Sequence, residues 1–367
     1  MTRRLWFICI SVMLLAIFMP AHAQFTIPAM LTNDAELLTG PGHTYGRVGI
    51  LNAGTEVTIT QRNRIGNWIR VEGGDIDGWV RVSNLDMTGL RMSSIPVNDD
   101  LPDADTSEIT DENIARLYSV PILPEISDSM RDVYLRGQDL GNHDDVVVKI
   151  GDSNSANAAY LTPISTGNYD LGPYNMLENS VDYFADNMAT NDIAARVGLN
   201  GFSLFDPFWS PQAECEANET PLACEYRVSQ PTIAVILFGP NDLRVLNSTE
   251  YDEQMRLIID ETLNAGIIPL LSTFSADPDE STWGQAIRFN NILLDIAIDY
   301  DIPLVNLWSA AQALPNAGIG DDHVHMTISG GPLDLSQGYE WRFGVPLQNL
   351  VVLHALDAIY DHAINVD

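Results

Sequence analysis

Lysine is almost missing from this chain. Lys149 is the only one in 367 residues, and 18 basic residues face 50 acidic ones for a formal charge of −32. Such a balance repels phosphate backbones and anionic bilayers, so it excludes nucleic acid and anionic membrane as partners and leaves neutral or cationic targets. Cysteine is nearly as scarce. Cys9 lies in the N-terminal segment, and the rest of the chain holds only Cys215 and Cys224, close together in the polar stretch 211–227. Two cysteines with no histidine nearby make a poor metal site. In an oxidising compartment they close a local disulfide, the alternative being two free thiols. Long apolar runs are absent beyond the N-terminus, which leaves no later stretch able to span a bilayer.

The N-terminus itself reads as a secretory signal peptide over residues 1–23. Arg3 and Arg4 form a positive start, Leu5 to Phe18 is a short apolar stretch, and Pro20 precedes the small-x-small site Ala21-His22-Ala23. An uncleaved anchor is the alternative, disfavoured by the length of the apolar run. Cleavage after Ala23 takes away Arg3 and Arg4 and no acid, so the mature charge becomes −32 − 2, near −34. No cysteine stands at the mature start, which argues against a lipoprotein.

Residues 29–87 carry short β-type runs between turn signals. Ala35 to Leu38 leads into Thr39-Gly40-Pro41-Gly42, Val48 to Leu51 precedes Asn52-Ala53-Gly54, and two further runs, Trp68 to Val71 and Gly78 to Val82, flank Gly73-Gly74. That spacing predicts a small β-barrel or sandwich. The order L-L-T-G-P-G-H-T-Y, A-G-T-E-V, G-N-W-I-R-V and D-G-W-V resembles a bacterial SH3-like domain over residues 28–87. The resemblance implies a module that binds cell-wall peptide or glycan. Tyr45, Trp68 and Trp79 are candidates for an aromatic groove on it, with burial in the core as the competing reading.

Residues 88–143 change character. Asn98 to Asp105 is acidic and poor in large apolar residues and reads as a solvated linker, followed by a short helix around Ser127 to Gly137. Asp103 to Ile114 lacks the glycine and terminal glutamate of a calcium loop. From 144 to 365 strands alternate with helices. Val146 to Ile150, Thr232 to Phe238, Ile267 to Phe274 and Ile302 to Leu307 read as strands, and Thr249 to Ala265 and Trp283 to Tyr300 as helices. This pattern predicts an α/β domain with a parallel sheet covered on both faces, whose ligands bind outside the carboxyl ends of the strands.

Three polar clusters fall where that rule looks for a site. Gly151-Asp152-Ser153-Asn154-Ser155 ends the first strand, Gly239-Pro240-Asn241-Asp242 ends the second, and Asp321-Asp322-His323-Val324-His325 lies near the C-terminus. A serine hydroxyl needs a base before it attacks a carbonyl, and an imidazole supplies one near neutral pH. A carboxylate fixes the imidazole tautomer, and Asp322 stands three residues before His325. A backbone N–H and an asparagine amide are suitable oxyanion donors. Singly, each cluster has a plain structural reading: a strand-ending turn, a helix N-cap at Asn241 and a loop histidine at 325.

In combination they resemble the SGNH, or GDSL-type, hydrolase family. Gly151-Asp152-Ser153 matches its first block, Gly239-x-Asn241-Asp242 its third and Asp322-x-x-His325 its last. The second block calls for a glycine after a strand, and Gly201 in Val197 to Ser203 is the first choice, Gly198 the second. Arg288 to Asn291 and Ile302 to Trp308 also look like the family's late helix and strand. The resemblance implies a flavodoxin-like three-layer αβα fold and acyl transfer. In it Ser153 is the nucleophile, His325 the base and Asp322 its partner, while Ser153 and Gly201 N–H groups and the Asn241 amide hold the oxyanion. No cofactor and no metal are implied. The expected substrate is a small ester, an acylated glycan or a lipid ester, and the expected location is secreted, periplasmic or on a bacterial surface. The G-x-S-x-G elbow of α/β-hydrolases is absent.

Two departures stand out. The family usually has glycine where this chain has His323, so His323 competes with His325 as base, or joins it and Asp321 or Asp322 in a His-x-His metal site that lacks a further ligand placed by spacing. The tail after His325 is long, with Gly330-Gly331-Pro332 and then Tyr339 to Val345 as a lid or wall. A non-catalytic wall- or glycan-binding protein with a degenerate hydrolase domain, and an O-acyltransferase, therefore stay open. The sequons at Asn218 and Asn247 carry little meaning if the source is bacterial.

Overall fold

A computed structural model describes residues 26–41, 45–63, 68–98, 109–188, 193–330 and 333–366. The signal-peptide segment 1–23 and most of the acidic stretch 98–105 lie outside them. No helix among the described residues is long and apolar enough to cross a membrane.

The N-terminal module is one antiparallel sheet of six strands: β1 (Ile27–Met30), β2 (Ala35–Leu38), β3 (Arg47–Leu51), β4 (Glu56–Arg62), β5 (Trp68–Gly73) and β6 (Ile76–Arg81), in the order β1-β4-β5-β6-β2-β3. Alternation decides its core. Val57 and Ile59 from β4, Ile69 and Val71 from β5 and Val80 from β6 turn inward together. The sequence places the linker from residue 88, but the chain stays on the barrel to Asn98. Ile95 is buried in the barrel core, Leu90 and Met92 pack against it, and Arg62 pairs with the segment through Pro96 O at 2.9 Å and Asn98 N at 2.8 Å. Three apolar side chains in an otherwise polar stretch are enough to hold it there. Trp68 and Trp79 are each 2% exposed and pack with Leu38 and the half-buried Tyr45. Burial, rather than an open aromatic groove, is therefore their state in this structure.

A helix that the sequence reading missed follows. In α1 (Asp111–Ser119), Thr110 caps the first turn by accepting from the N–H of Asn113 at 3.1 Å, and Leu117 is buried. Acidic and polar residues on its outer face masked the two that anchor it, Ile109 and Leu117. The next helix, α2 (Ser129–Leu140), starts slightly later than expected and ends on Gly141 in the left-handed region.

The larger domain is built on β7 (Val147–Gly151), α3 (Pro221–Ser229), β8 (Ile233–Leu237), α4 (Ser248–Asn264), β9 (Ile268–Ser272), α5 (Trp283–Tyr300), β10 (Leu304–Val305) and α6 (Gly344–Ile359). β7, β8 and β9 are buried at every position, as a parallel sheet covered on both faces demands. β7 pairs with β8, β8 with β9 and β9 with β10, all parallel. On the far side of β7, Ala195 bridges Gly151 in parallel, so the segment around it takes the second place and the order becomes 2-1-3-4-5. This is the flavodoxin-type order, and its crevice opens beyond the carboxyl ends of β7 and β8. The asparagines of α5 have structural roles. Asn290 satisfies both the N–H and the carbonyl of Phe274 just after β9, and Asn291 reaches the carbonyl of Asn113 in α1. The disulfide Cys215–Cys224 staples the loop ahead of α3 to that helix.

Candidate active site

β7 ends on Gly151 because nothing larger fits. A Cβ there would lie 2.2 Å from Ser155 Oγ and 2.3 Å from the carbonyl of Leu237. The turn that follows is closed by Asp152, whose Oδ1 accepts from the N–H of Asn154 at 2.8 Å, and it leaves the Ser153 hydroxyl half-buried at the rim of the sheet. Asn154 clasps the opposite loop. Its carboxamide accepts from Met326 N–H at 3.1 Å and donates to Val324 O at 3.4 Å. Sequence reasoning gave Asn154 no role, although its place beside the nucleophile was a usable signal.

The histidine loop is one arm of a short hairpin. Ile319 bridges Met326, Gly320 N donates to His325 O at 2.9 Å and Thr327 N to Gly318 O at 2.8 Å. From it His325 points Nε2 at Ser153 Oγ, 2.8 Å away, while Nδ1 meets Asp322 Oδ2 at 2.6 Å. Asp322 Oδ1 also accepts from the backbone of Val324 at 3.0 Å and of His325 at 2.9 Å. Partial desolvation works to raise the Asp322 carboxyl, but these hydrogen bonds with His325 and Val324 outweigh it and hold the group at about 2.

His323 does not compete for the serine. Its backbone lies in the left-handed region, φ 62°, where an L-residue costs roughly 1–2 kcal/mol and glycine costs none. Its ring turns away, Nδ1 to Asp277 Oδ2 at 2.6 Å with Glu280 at 3.8 Å. The bond to Asp277 raises its pKa against the effects of burial and of the nearby Arg81 guanidinium. The two histidines thus answer to different carboxylates, which is not a shared metal-ligand arrangement. The one cluster of metal-ligand type among the described residues, Cys215, Glu219 and Cys224, contains the disulfide.

The oxyanion donors come out differently from the sequence expectation. The Ser153 N–H has no acceptor among the described residues. The Asn241 side chain is not a helix cap. One hydrogen of its amide goes to Leu199 O at 2.8 Å, which fixes the group and leaves the nitrogen a second hydrogen to donate. The Gly201 N–H, however, donates to Asp242 Oδ1 at 2.7 Å. Asp242 is fully buried and takes this donor to satisfy its carboxylate, so Gly201 serves as a close-approach residue: a Cβ on it would sit 3.3 Å from the same oxygen. Gly198 stands on the exposed turn before it with φ 88°.

Beneath this rim two carboxyls are buried side by side. Burial pushes Asp242 up to about 7, with the charge of Asp152 adding to the rise, and pushes Asp152 up to about 6 against its backbone hydrogen bond from Asn154.

With this geometry in place, similarity to known proteins falls into two parts. Residues 33–86 match the family model of the bacterial SH3 domain. No curated protein matches the chain. Among solved structures it resembles a psychrotrophic esterase EstA from Pseudoalteromonas sp., at a TM-score of 0.37 and 14% identity, covering 59% of this chain and 99% of that one. A lipase/acylhydrolase from Enterococcus faecalis gives 0.36 and 16%, covering 57% and 94%. A GDSL-like lipase from Bacteroides thetaiotaomicron gives 0.36 and 13%, covering 63% and 98%. At these values the likenesses carry no weight for the chemistry, and the reading of the site rests on its own distances.

Proposed function

We propose that this chain is an exported serine ester hydrolase acting on an acylated glycan or a similar small ester, with Ser153, His325 and Asp322 as its triad. One observation carries the reading: the continuous set Ser153 Oγ–His325 Nε2 at 2.8 Å and His325 Nδ1–Asp322 Oδ2 at 2.6 Å, assembled from segments 172 residues apart. In the first step the Ser153 oxygen bonds to the ester carbonyl carbon as its proton passes to His325 Nε2. Asp322 keeps Nδ1 protonated and faces the imidazolium that forms. The Ser153 N–H and the second hydrogen of the Asn241 amide receive the oxyanion. The imidazolium then protonates the leaving alkoxide, and water, activated by the same ring, frees the acyl group. His325 and Asp322 side chains are 47% and 55% exposed, which gives water direct access and favours hydrolysis over transfer to a sugar hydroxyl.

The N-terminal signal pattern and the Cys215–Cys224 disulfide support export to an oxidising compartment. A wall-directed role for the SH3-type module rests on its family match.

A short-chain aryl ester tests the reading. Turnover should fall by at least ~10³-fold in Ser153→Ala, and a phosphonate probe should label Ser153 alone. Equal turnover in the variant, or no labelling of the folded protein, would leave only a binding protein. Analysis with an added sugar acceptor should give free acid as the main product; acylated sugar instead would make the chain an acyltransferase.

A further inference from the structure

The barrel does not merely precede the catalytic domain; it touches the support of the histidine loop. Arg81, the last residue of β6, extends a half-buried guanidinium across the junction. It pairs with Asp279 at 2.5 Å, donates to Asn316 Oδ1 at 2.6 Å, and stacks over Trp68 with 5.6 Å to the ring centroid. The Trp68 indole N–H also goes to Asp279, whose side chain is only 1% exposed. On the catalytic side the same groups continue inward. Asp277 Oδ1 accepts from the Asp279 N–H at 2.9 Å, and Asp277 Oδ2 receives both Asn316 Nδ2 at 3.2 Å and His323 Nδ1.

What these bonds hold is a strained piece of backbone. Asn316, Ala317 and His323 all have φ near +50 to +60°, at 48°, 49° and 62°. Residues 316–317 lead into the first arm of the hairpin whose second arm begins at His325, and His323 is the residue between Asp322 and Val324 in the loop itself. Strained conformations of L-residues persist only where surrounding contacts over-determine them. Here those contacts include Asp277 and Asn316, which lead to Arg81, beside Ser275 Oγ, which donates to the carbonyl of Ala317 at 2.6 Å, and Asn154, which clasps Val324 and Met326.

We propose that Arg81 of the SH3-type module is a positioning residue for the triad, acting through Asn316, Asp279 and Asp277 on the 316–325 hairpin, so that the module is a fixed wall of the active site and not a loose tether. This rests on the proposed esterase function. A triad bond that opens by about 1 Å costs on the order of 10²-fold in rate, so small losses of support are measurable.

The experiment uses the full-length chain with Arg81→Ala, Asn316→Gly and His323→Gly. Asn316→Gly removes the bridging carboxamide while keeping a residue that adopts positive φ freely, so it is the variant least able to disturb folding. The readouts are kcat and KM on a short-chain aryl ester, and hydrogen exchange of the 316–327 segment against the barrel strands. Arg81→Ala and Asn316→Gly should lower kcat about 10-fold or more with KM within threefold, and raise exchange in 316–327. In His323→Gly the backbone holds its turn without Asp277, so adding Arg81→Ala to it should cost less than threefold. Arg81→Lys should restore part of kcat by keeping the charge opposite Asp279. Unchanged kcat and unchanged exchange in Asn316→Gly would overturn the proposal. If the parent protein hydrolyses no ester, the function fails, and the exchange of 316–327 in the same variants still decides whether the barrel supports the loop. Faster exchange across the barrel strands with 316–327 unaltered would also count against it.

Discussion

His323 and His325 sit one residue apart and do unlike work, because each ring is claimed by a different carboxylate. The claim on His325 sets a testable tautomer. In Asp322→Asn the new amide can donate to Nδ1, which forces the proton onto Nε2 and removes the base from Ser153. Steady-state kcat should then fall by about 10⁴-fold with the fold intact by circular dichroism. A loss below tenfold would mean that Asp322 is not the partner. The depressed carboxyl has a second consequence: its contribution to stability is present above its ordinary value of 3.8 and is lost only as the pH falls through about 2. Ser153, Asn241, Asp322 and His325 were legible from sequence because each lies in a short polar cluster next to a strand end or within a single loop. Asp277 was not, since it stands 46 residues from His323 and no local spacing links them. The role of Gly201 was misread for a related reason: which acceptor an N–H meets depends on where Asp242 folds, and that is a tertiary fact.

At the scale of elements, periodicity predicted most where burial was complete. The helix Trp283–Tyr300 matches its expected bounds, and the fully buried runs of β7, β8 and β9 fall within a few residues of theirs. It failed where few residues do the anchoring, at α1 and at the 88–98 segment that closes the barrel. The carboxyl ends of β7 and β8 bring Asp152 and Asp242 together, and that meeting carries a pH dependence. Both native carboxyls are raised, to about 6 and about 7 from 3.8, so the folded state keeps protons that the unfolded chain has already released near pH 4. Stability from this pair is therefore complete below about 3.8 and is lost as the pH climbs through about 6 and about 7. Asp242→Asn keeps an acceptor for Gly201 N–H and removes the titration. Thermal melts from pH 5 to pH 8 should fall less steeply in this variant than in the parent, the gap widening toward pH 8. Parallel curves would show that the two carboxyls are solvated more than their burial implies. The raised His323 acts in the same sense: its pairing with Asp277 is complete below its ordinary 6.5 and is lost as the pH rises beyond that. The comparison with Asp242→Asn separates the two contributions.

On the scale of the whole molecule, charge is the dominant fact. Fifty acidic residues against 18 basic ones leave few cations to go round, and the ones present are placed with purpose. Lys149 is 1% exposed inside β7, donating to Tyr160 O at 2.9 Å and Thr162 Oγ1 at 3.1 Å. Arg81 is committed to the barrel–domain junction. What remains on the surface is mostly unopposed negative charge, and exposed pairs such as Arg47–Glu36, with side chains 58% and 56% exposed, are worth at most about 1 kcal/mol each. Long-range repulsion should therefore exceed short-range attraction in the solvent-exposed balance. Added salt shortens the range of both, from about 30 Å at ~0.01 M to about 8 Å at ~0.15 M, and so relieves more repulsion than it weakens attraction. The buried Arg81–Asp279 contact is largely insulated from this screening. Melting temperature should consequently rise by several degrees between these two sodium chloride concentrations, with potassium chloride giving the same rise because the effect is one of ionic strength. A fall in melting temperature with salt would mean that attractive surface pairs, and not net repulsion, govern the folded state. The same field should make an ester with an anionic leaving group a poorer substrate than its neutral analogue, through a higher KM that converges on the neutral value as salt is added.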